Sequence, residues 1–301
     1  MTTKVVIFND TSRFHHGSAA VMQTLFRTVE RLGWTLSASF FGNSFIFEKA
    51  QPVYSEALVE DADIILINGE GTIHDDSPMA VFLFSIIEKY RHKKICLLNT
   101  LWQNIGPELT QKLAHVDLVV ARDHASFDAL SRVYQGPLYL TPDFSSRAVP
   151  PLATMVPQGI LFGGFYWQQH GRAAGVAPNT IALKGMEGDG EIDITRENWH
   201  TVVNRLRHAS LLVTGKHHDV MAAIVARCPF LFCPVKTHKI EALGRFAGIA
   251  LLPVDMTLTE SQYRDRFQQA IGMTGHYGQL FDAIDTANSA FDLEATLKAI
   301  A

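Results

Sequence analysis

The sequence has little cysteine, little charge and no long apolar run. Its thiols are Cys96, Cys228 and Cys233, each in or beside an apolar stretch. The four residues between Cys228 and Cys233 fit neither a zinc knuckle nor a redox pair, so a disulfide framework, a zinc site and a thiol centre drop out. Charged residues make up 19% of the chain, and 26 Lys+Arg against 30 Asp+Glu leave a net charge of -4 with no block of five like charges. That balance points to no nucleic-acid or membrane-surface partner. The opening MTTKVVIFND breaks its apolar run at Asn9 and Asp10, too early for a signal peptide or a membrane span. A cytoplasmic chain with reduced, core-type cysteines is the expectation.

What is present is a globular composition, 47% hydrophobic over 301 residues, enough for two domains. Thirteen histidines are the one unusual count. Short β-rich runs alternate with helical patterns, the signature of parallel sheets with helices on both faces. Strands are predicted at 4–8, 35–41, 63–68, 94–99, 118–121 and 138–140, with helices at 18–32, 79–89, 107–114 and 124–132. Pro150, Pro151 and Pro157 interrupt an aperiodic stretch over 145–159, read as a linker. A second series follows, with strands at 159–165, 180–183, 211–214, 230–232 and 250–252 and helices at 196–208, 219–227, 239–247, 262–274 and 280–300. The expected plan is α/β, two Rossmann-like domains facing a cleft (GT-B-like), over 1–148 and 149–301, with the C-terminal helices counted in the second.

Open parallel sheets bind ligands beyond the carboxyl ends of their strands, where loop N–H groups and helix N-termini converge. The first such loop holds Asn9, His15, His16 and Gly17, with Ser18 at a helix mouth; a capped turn is the plain alternative. After the third strand, Gly69 and Gly71 flank Glu70, a candidate base or nucleophile, and His74 follows. Trp102 and Gln103, after the fourth strand, suit a sugar face and its hydroxyls, or else Trp102 packs in the core. Arg122 and Asp143 follow the fifth and sixth strands; the plain alternative for Arg122 with Asp123 is a loop-fixing ion pair. In the second half Gly215, Lys216, His217 and His218 open a helix as a receptor for phosphate or carboxylate. Adjacent histidines on a strand point to opposite faces, so anion binding is preferred there over metal. Lys236, His238 and Lys239 add donors after the next strand.

The order of these loops resembles the polysaccharide pyruvyl transferase family over roughly residues 4 to 250. Its members carry a polar loop with Gly before a helix, a strand ending in a Gly-rich turn, Arg-Asp-x-x-Ser, Pro-Asp, Thr-Gly-Arg-x-His and a later His-Lys. The matching residues here are His16 to Ser18, Asn68 to Thr72, Arg122 to Ser126, Pro142-Asp143, Thr214 to His218 and Thr237 to Lys239. The resemblance implies a pair of glycosyltransferase-like Rossmann domains, with the phosphate of phosphoenolpyruvate (PEP) held on Lys216 and His218. Gly215, His217, Arg122, Lys236, His238 and Lys239 complete the expected donor side. Asn9, His15, His16, Gly17, His74, Trp102 and Gln103 form the expected acceptor side.

Two departures stand out. Lys216 replaces the family's Arg, keeping charge but losing the bidentate fork, and Glu70 replaces a glycine of the turn. The reading is a transferase of bacterial surface-polysaccharide assembly that joins PEP to a sugar diol, with Glu70 and His218 as base and acid. Its rivals are a glycosyltransferase using a CMP-activated ulosonic acid, with Glu70 or Asp143 as nucleophile or base, and a non-catalytic sugar- or nucleotide-binding module. No cofactor, metal, nucleic acid or transmembrane segment is expected. The expected partners are a small-molecule donor, a saccharide acceptor and loosely associated membrane-bound glycan machinery.

Overall fold

Continuous apolar runs such as Val5–Phe8 and Ile64–Ile67 suit strands covered on both faces, and two parallel sheets are what they build. The computed structural model describes residues 2–42, 53–156, 158–164, 190–193, 196–235, 237–255 and 257–301. The first sheet contains β1 (Lys4–Asp10), β2 (Thr35–Phe41), β3 (Ile64–Asn68), β4 (Lys94–Thr100), β5 (Leu118–Ala121) and β6 (Leu138–Leu140) in the order β2-β1-β3-β4-β5-β6. The second contains β7 (Gln158–Phe162), β8 (Gly190–Glu191), β9 (Ala209–Thr214) and β10 (Phe230–Phe232) in the order β10-β9-β7-β8. Every neighbouring pair in both sheets is parallel. In each sheet the strand order reverses once, between β1 and β3 and between β7 and β9, and such switch points are where α/β sheets open to ligands.

Two compact units result: Met1–Arg13 with Val21–Phe144 and Asn288–Ala301, and Phe14–Ala20 with Ser145–Ala287. In the first, the two-residue period of the strands sorts side chains to opposite faces. Val6, Phe8, Ile65, Ile67 and Leu97 pack with Leu83, Phe84 and Ile87 of α3 (Pro78–Lys89). Val5, Ile7, Leu66 and Leu98 pack with Val21, Leu25 and Val29 of α1 (His16–Arg31) and with Phe291 and Leu297. The C-terminal segment therefore belongs with the first unit, where sequence reading had counted it in the second. In the second unit Leu211, Leu212 and Val213 pack with α6 (Trp199–Arg207), α7 (His217–Ala226), α8 (Glu260–Gly272) and α9 (Thr274–Ala290). The short helices of the first unit are α2 (Glu56–Asp61), α4 (Pro107–Gln111), α5 (His124–Leu130) and α10 (Leu293–Lys298).

Three expectations of the second half differ from the structure, and a fourth, the strand at 180–183, lies outside the described residues. The strand at 250–252 forms no ladder: Pro253 has no N–H to offer, and the segment meets β10 only at an isolated bridge, Phe232 to Pro253. The helix at 239–247 is a 3₁₀ helix over Glu241–Phe246, because the chain folds back where a side chain on Gly244 would lie 2.3 Å from the Ile249 carbonyl, and it ends at Gly248 with φ 66°. The helix at 280–300 is broken into α9 and α10 at Asp292, whose carboxylate caps α10 by accepting from Ala295 N at 2.9 Å. All three cysteines are buried thiols outside any disulfide, and burial pushes the Cys228 thiol up to about 12. Among the described residues no helix is long and apolar enough to cross a membrane.

Candidate functional site

The switch point of the first sheet is polar, buried and strained. Asn9, Glu70 and Asn99, at or just beyond the ends of β1, β3 and β4, have φ of 62°, 35° and 53°, a left-handed backbone that costs a non-glycine residue about 1–3 kcal/mol. Side-chain bonds hold them there. Asn9 Nδ2 donates to the Asn68 carbonyl at 2.6 Å and to Thr72 Oγ1 at 3.1 Å. The Glu70 carboxylate, 6% exposed, accepts from the Thr11 hydroxyl and from Asn68 Nδ2 at 3.1 Å, both on Oε2. Gly69 has to be glycine, since a Cβ there would lie 2.6 Å from Thr100 Oγ1 and 2.9 Å from its Cα. The result is a carboxylate fixed in one orientation at the mouth of a parallel sheet, a geometry that can take a proton from a hydroxyl.

Beside it, Arg122 Nη1 donates to Asp143 Oδ2 at 2.9 Å, the two side chains being 1% and 0% exposed. Asn99 braces the pair, with Nδ2 at 3.5 Å from the same oxygen and Oδ1 accepting from Phe144 N at 3.0 Å. Asp123 does not bond Arg122 as the loop-fixing alternative supposed: it caps α5, accepting from Ser126 N at 2.8 Å. Trp102 is 5% exposed and meets Phe84 edge-on at 5.9 Å, so of its two expected roles it takes the packing one. Gln103 bridges to His74, and His74 Nδ1 lies 3.1 Å from Asp75 Oδ2.

The second unit repeats the arrangement at its own switch point. Thr214 ends β9, and Lys216 precedes α7 with its N–H donating to Thr214 Oγ1 at 3.0 Å. Gly215 N donates to the Gly164 carbonyl at 2.9 Å, tying the ends of β7 and β9 together. The Lys216 stem crosses Gly164 so closely that a Cβ there would lie 3.0 Å from Cε. Burial pushes the Lys216 amine down to about 8, and the nearby Asp219 carboxylate opposes that shift. His217 and His218 are buried in the first turn of α7, ring centres 5.2 Å apart. An ammonium group beside a helix N-terminus is a receptor for phosphate or carboxylate.

The main rearrangement concerns the loop after β1. Asn9 stays with the first unit, but His15, His16 and Gly17 belong to the second. The His15 ring centre lies 4.8 Å from that of His218, and a side chain on Gly17 would lie 2.2 Å from His218 Cβ. The first turns of α1 and α7 thus touch at Gly17, placing His15, His16 and Gly17 beside the Thr214–His218 turn of the second unit. His16 stacks on Trp199 and bonds Asp219 through Nε2 at 2.9 Å. His238 and Lys239 are half-buried just ahead of the 3₁₀ helix, and Lys236 lies outside the described residues. The sequence alone assigns no role to Thr11, Asn68, Asn99, Gly163, Gly164 or Asp219. The available signal was an acidic third residue in the helix after Thr214.

No protein-family model and no curated protein matches the chain. Solved structures do. Staphylococcus aureus MnaA, in a co-structure with UDP, aligns over 99% of this chain and 95% of its own with a TM-score of 0.62 at 14% identity. The spinosyn forosaminyltransferase SpnP aligns over 100% and 99% with a TM-score of 0.60 at 11% identity. The Methanocaldococcus jannaschii UDP-GlcNAc 2-epimerase, in complex with UDP-GlcNAc and UDP, aligns over 95% and 99% with a TM-score of 0.58 at 10% identity. At such identities the likeness is one of fold. The chain is an α/β protein of two Rossmann-like domains, with the GT-B fold found among glycosyltransferases and sugar-nucleotide epimerases.

Proposed function

We propose that the chain is a glycan-directed transferase whose donor is a small phosphorylated acid, PEP, carried on the Thr214–His218 turn and joined to a sugar diol as a ketal. The observation that carries this reading is the Lys216 ammonium at the N-terminus of α7, on the switch point of the second sheet. Two hydroxyl oxygens of the sugar bond to the enol carbon of PEP. The methylene takes up a proton and becomes a methyl group, and the phosphate leaves with the C–O electron pair. Lys216 and the α7 N-terminus balance the leaving phosphate, His218 supplies the proton to the methylene, and Glu70 takes a hydroxyl proton. The second hydroxyl proton departs with the phosphate. Asp143, bonded to Arg122 in a buried pair, holds that guanidinium in place.

A second reading has one observation in its favour: MnaA and the M. jannaschii enzyme, which share the fold, are seen with UDP. On that reading the same turn takes the phosphates of a nucleotide-activated sugar, the CMP-ulosonate class included. Thermal-shift measurement with PEP, UDP, CMP and CMP-sugars separates the two, because a ligand at about 100 times its Kd adds about 2.7 kcal/mol to stability. PEP alone raises Tm if the first reading holds. Stabilisation by a nucleotide without any by PEP transfers the assignment to the second, and no stabilisation by either removes both.

A further inference from the structure

One buried carboxylate in the second unit joins three separate pieces of chain. Asp219 is 0% exposed, lies in the first turn of α7, and is bonded from three pieces of chain. Its Oδ2 accepts from the Thr214 hydroxyl at 2.7 Å and from Gly164 N at 3.2 Å, and its Oδ1 faces His16 Nε2 at 2.9 Å. Gly163 leaves room for this arrangement, since a side chain there would lie 2.2 Å from Oδ2 and 2.5 Å from Thr214 Oγ1. The end of β9, the end of β7 and the start of α1 are therefore all registered on one group.

We infer that Asp219, partnered by His16, is the positioning residue that holds the Thr214–Lys216 turn in its donor-binding shape. The relay is explicit. The Thr214 hydroxyl donates its hydrogen bond to Asp219 at 2.7 Å, the shorter of its two acceptors beside the Gly164 carbonyl at 3.2 Å, which leaves its lone pairs to accept from Lys216 N, and that bond fixes the backbone from which the Lys216 side chain departs. Gly164 N is drawn to the same carboxylate, and the Lys216 stem lies across Gly164. His16 donates Nε2–H to the remaining oxygen and is itself clamped by stacking on Trp199 at 5.7 Å. A carboxylate with all its near donors inside the protein binds no substrate; it acts through Lys216. Charge-assisted bonds of this kind are among the stronger ones available to a side chain, and a group that fixes a phosphate-binding backbone changes affinity without touching the ligand.

This inference rests on the donor assignment above, so its test has one arm without a donor. Asp219→Asn keeps the shape but weakens every bond that depends on charge, and His16→Gln removes the partner alone. Amide hydrogen exchange at Gly164 and Lys216 is expected to speed up at least tenfold in Asp219→Asn, with Leu212 and Val213 in β9 unchanged. In the second arm, calorimetry with PEP is expected to show donor affinity at least tenfold lower in Asp219→Asn and lowered in His16→Gln, with kcat at saturating donor largely kept. Unchanged exchange at both amides overturns the inference whether or not PEP binds. So does PEP affinity within twofold of the parent in both folded variants. Failure of the parent protein itself to bind PEP counts against the donor assignment and leaves the exchange result to decide this one. If Asp219→Asn does not fold, His16→Gln carries both arms.

Discussion

On the proposed reading, the Lys216 amine makes the donor turn sensitive to pH in a definite direction. Its pKa of about 8, lowered by burial, means that roughly nine-tenths of the free protein is charged at this amine at pH 7 and roughly one-tenth at pH 9. A bound phosphate stabilises the ammonium form and returns the pKa toward 10.5, the ordinary lysine value. Only the charged fraction is competent, so the apparent Kd rises about tenfold between pH 7 and pH 9. The donor does not titrate in that window, because the second ionisation of a phosphate monoester lies near 6. Calorimetry with PEP at the two pH values measures the change, and proton uptake on binding at pH 9 measures its cause. Lys216→Arg, whose charge is permanent, abolishes the pH dependence. A Kd that moves less than twofold in the parent protein refutes the reasoning. The same shift raises the stability of the free protein as pH climbs from about 8 toward 10.5, where the unfolded chain holds the proton that the folded chain has released.

Four further outcomes are expected. Glu70→Gln keeps the shape of the carboxylate and lowers kcat by on the order of 100-fold or more, with Tm and donor affinity barely moved; loss of stability with turnover kept returns Glu70 to a purely structural role. Asp143→Ala leaves the Arg122 guanidinium buried without its partner and costs about 3–5 kcal/mol, read as a denaturant midpoint; a loss below about 1 kcal/mol, the level of an exposed pair, contradicts the buried ion pair. Gly17→Ala drives a methyl into His218 and costs about 1–3 kcal/mol of overpacking, with weakened donor binding in whatever protein folds; full stability contradicts the contact between the first turns of α1 and α7. The proposed reading, in which Lys216 and the α7 N-terminus balance the leaving phosphate, leads to turnover that persists in excess EDTA; complete loss restored by Mg²⁺ or Mn²⁺ contradicts this.

Local patterns carried the first sheet well. The runs at 35–41, 118–121 and 138–140 match β2, β5 and β6 to the residue; β5 is buried throughout and is written as an uninterrupted apolar stretch, whereas β2 and β6 are part-exposed edge strands whose β-rich composition marked them. The second half was harder to read where tertiary contacts outweighed local propensity. The pattern over 280–300 is helical throughout, yet Asp292 stops and restarts the helix with its own side chain. Residues after strand ends were legible as site candidates because the parallel-sheet rule places them. Their neighbours were not. Nothing near His15 or His16 in the sequence says that this turn packs on His218, 203 positions separate His16 from the Asp219 that it bonds, and a Gly-Gly pair after β7 shows its purpose only when Asp219 and Lys216 lie against it.

On the proposed reading the second unit takes a phosphorylated acid as donor and the protein transfers that acid to a saccharide. Phosphorus NMR of the protein with PEP and a panel of pyranosides bearing free vicinal and 4,6-diols tests it most directly. The account predicts release of inorganic phosphate that depends on the acceptor, falls by on the order of 100-fold in Glu70→Gln and is matched by the ketal methyl signal in the proton spectrum. No phosphate from PEP with any acceptor, together with release of UDP or CMP from a sugar nucleotide, would contradict it.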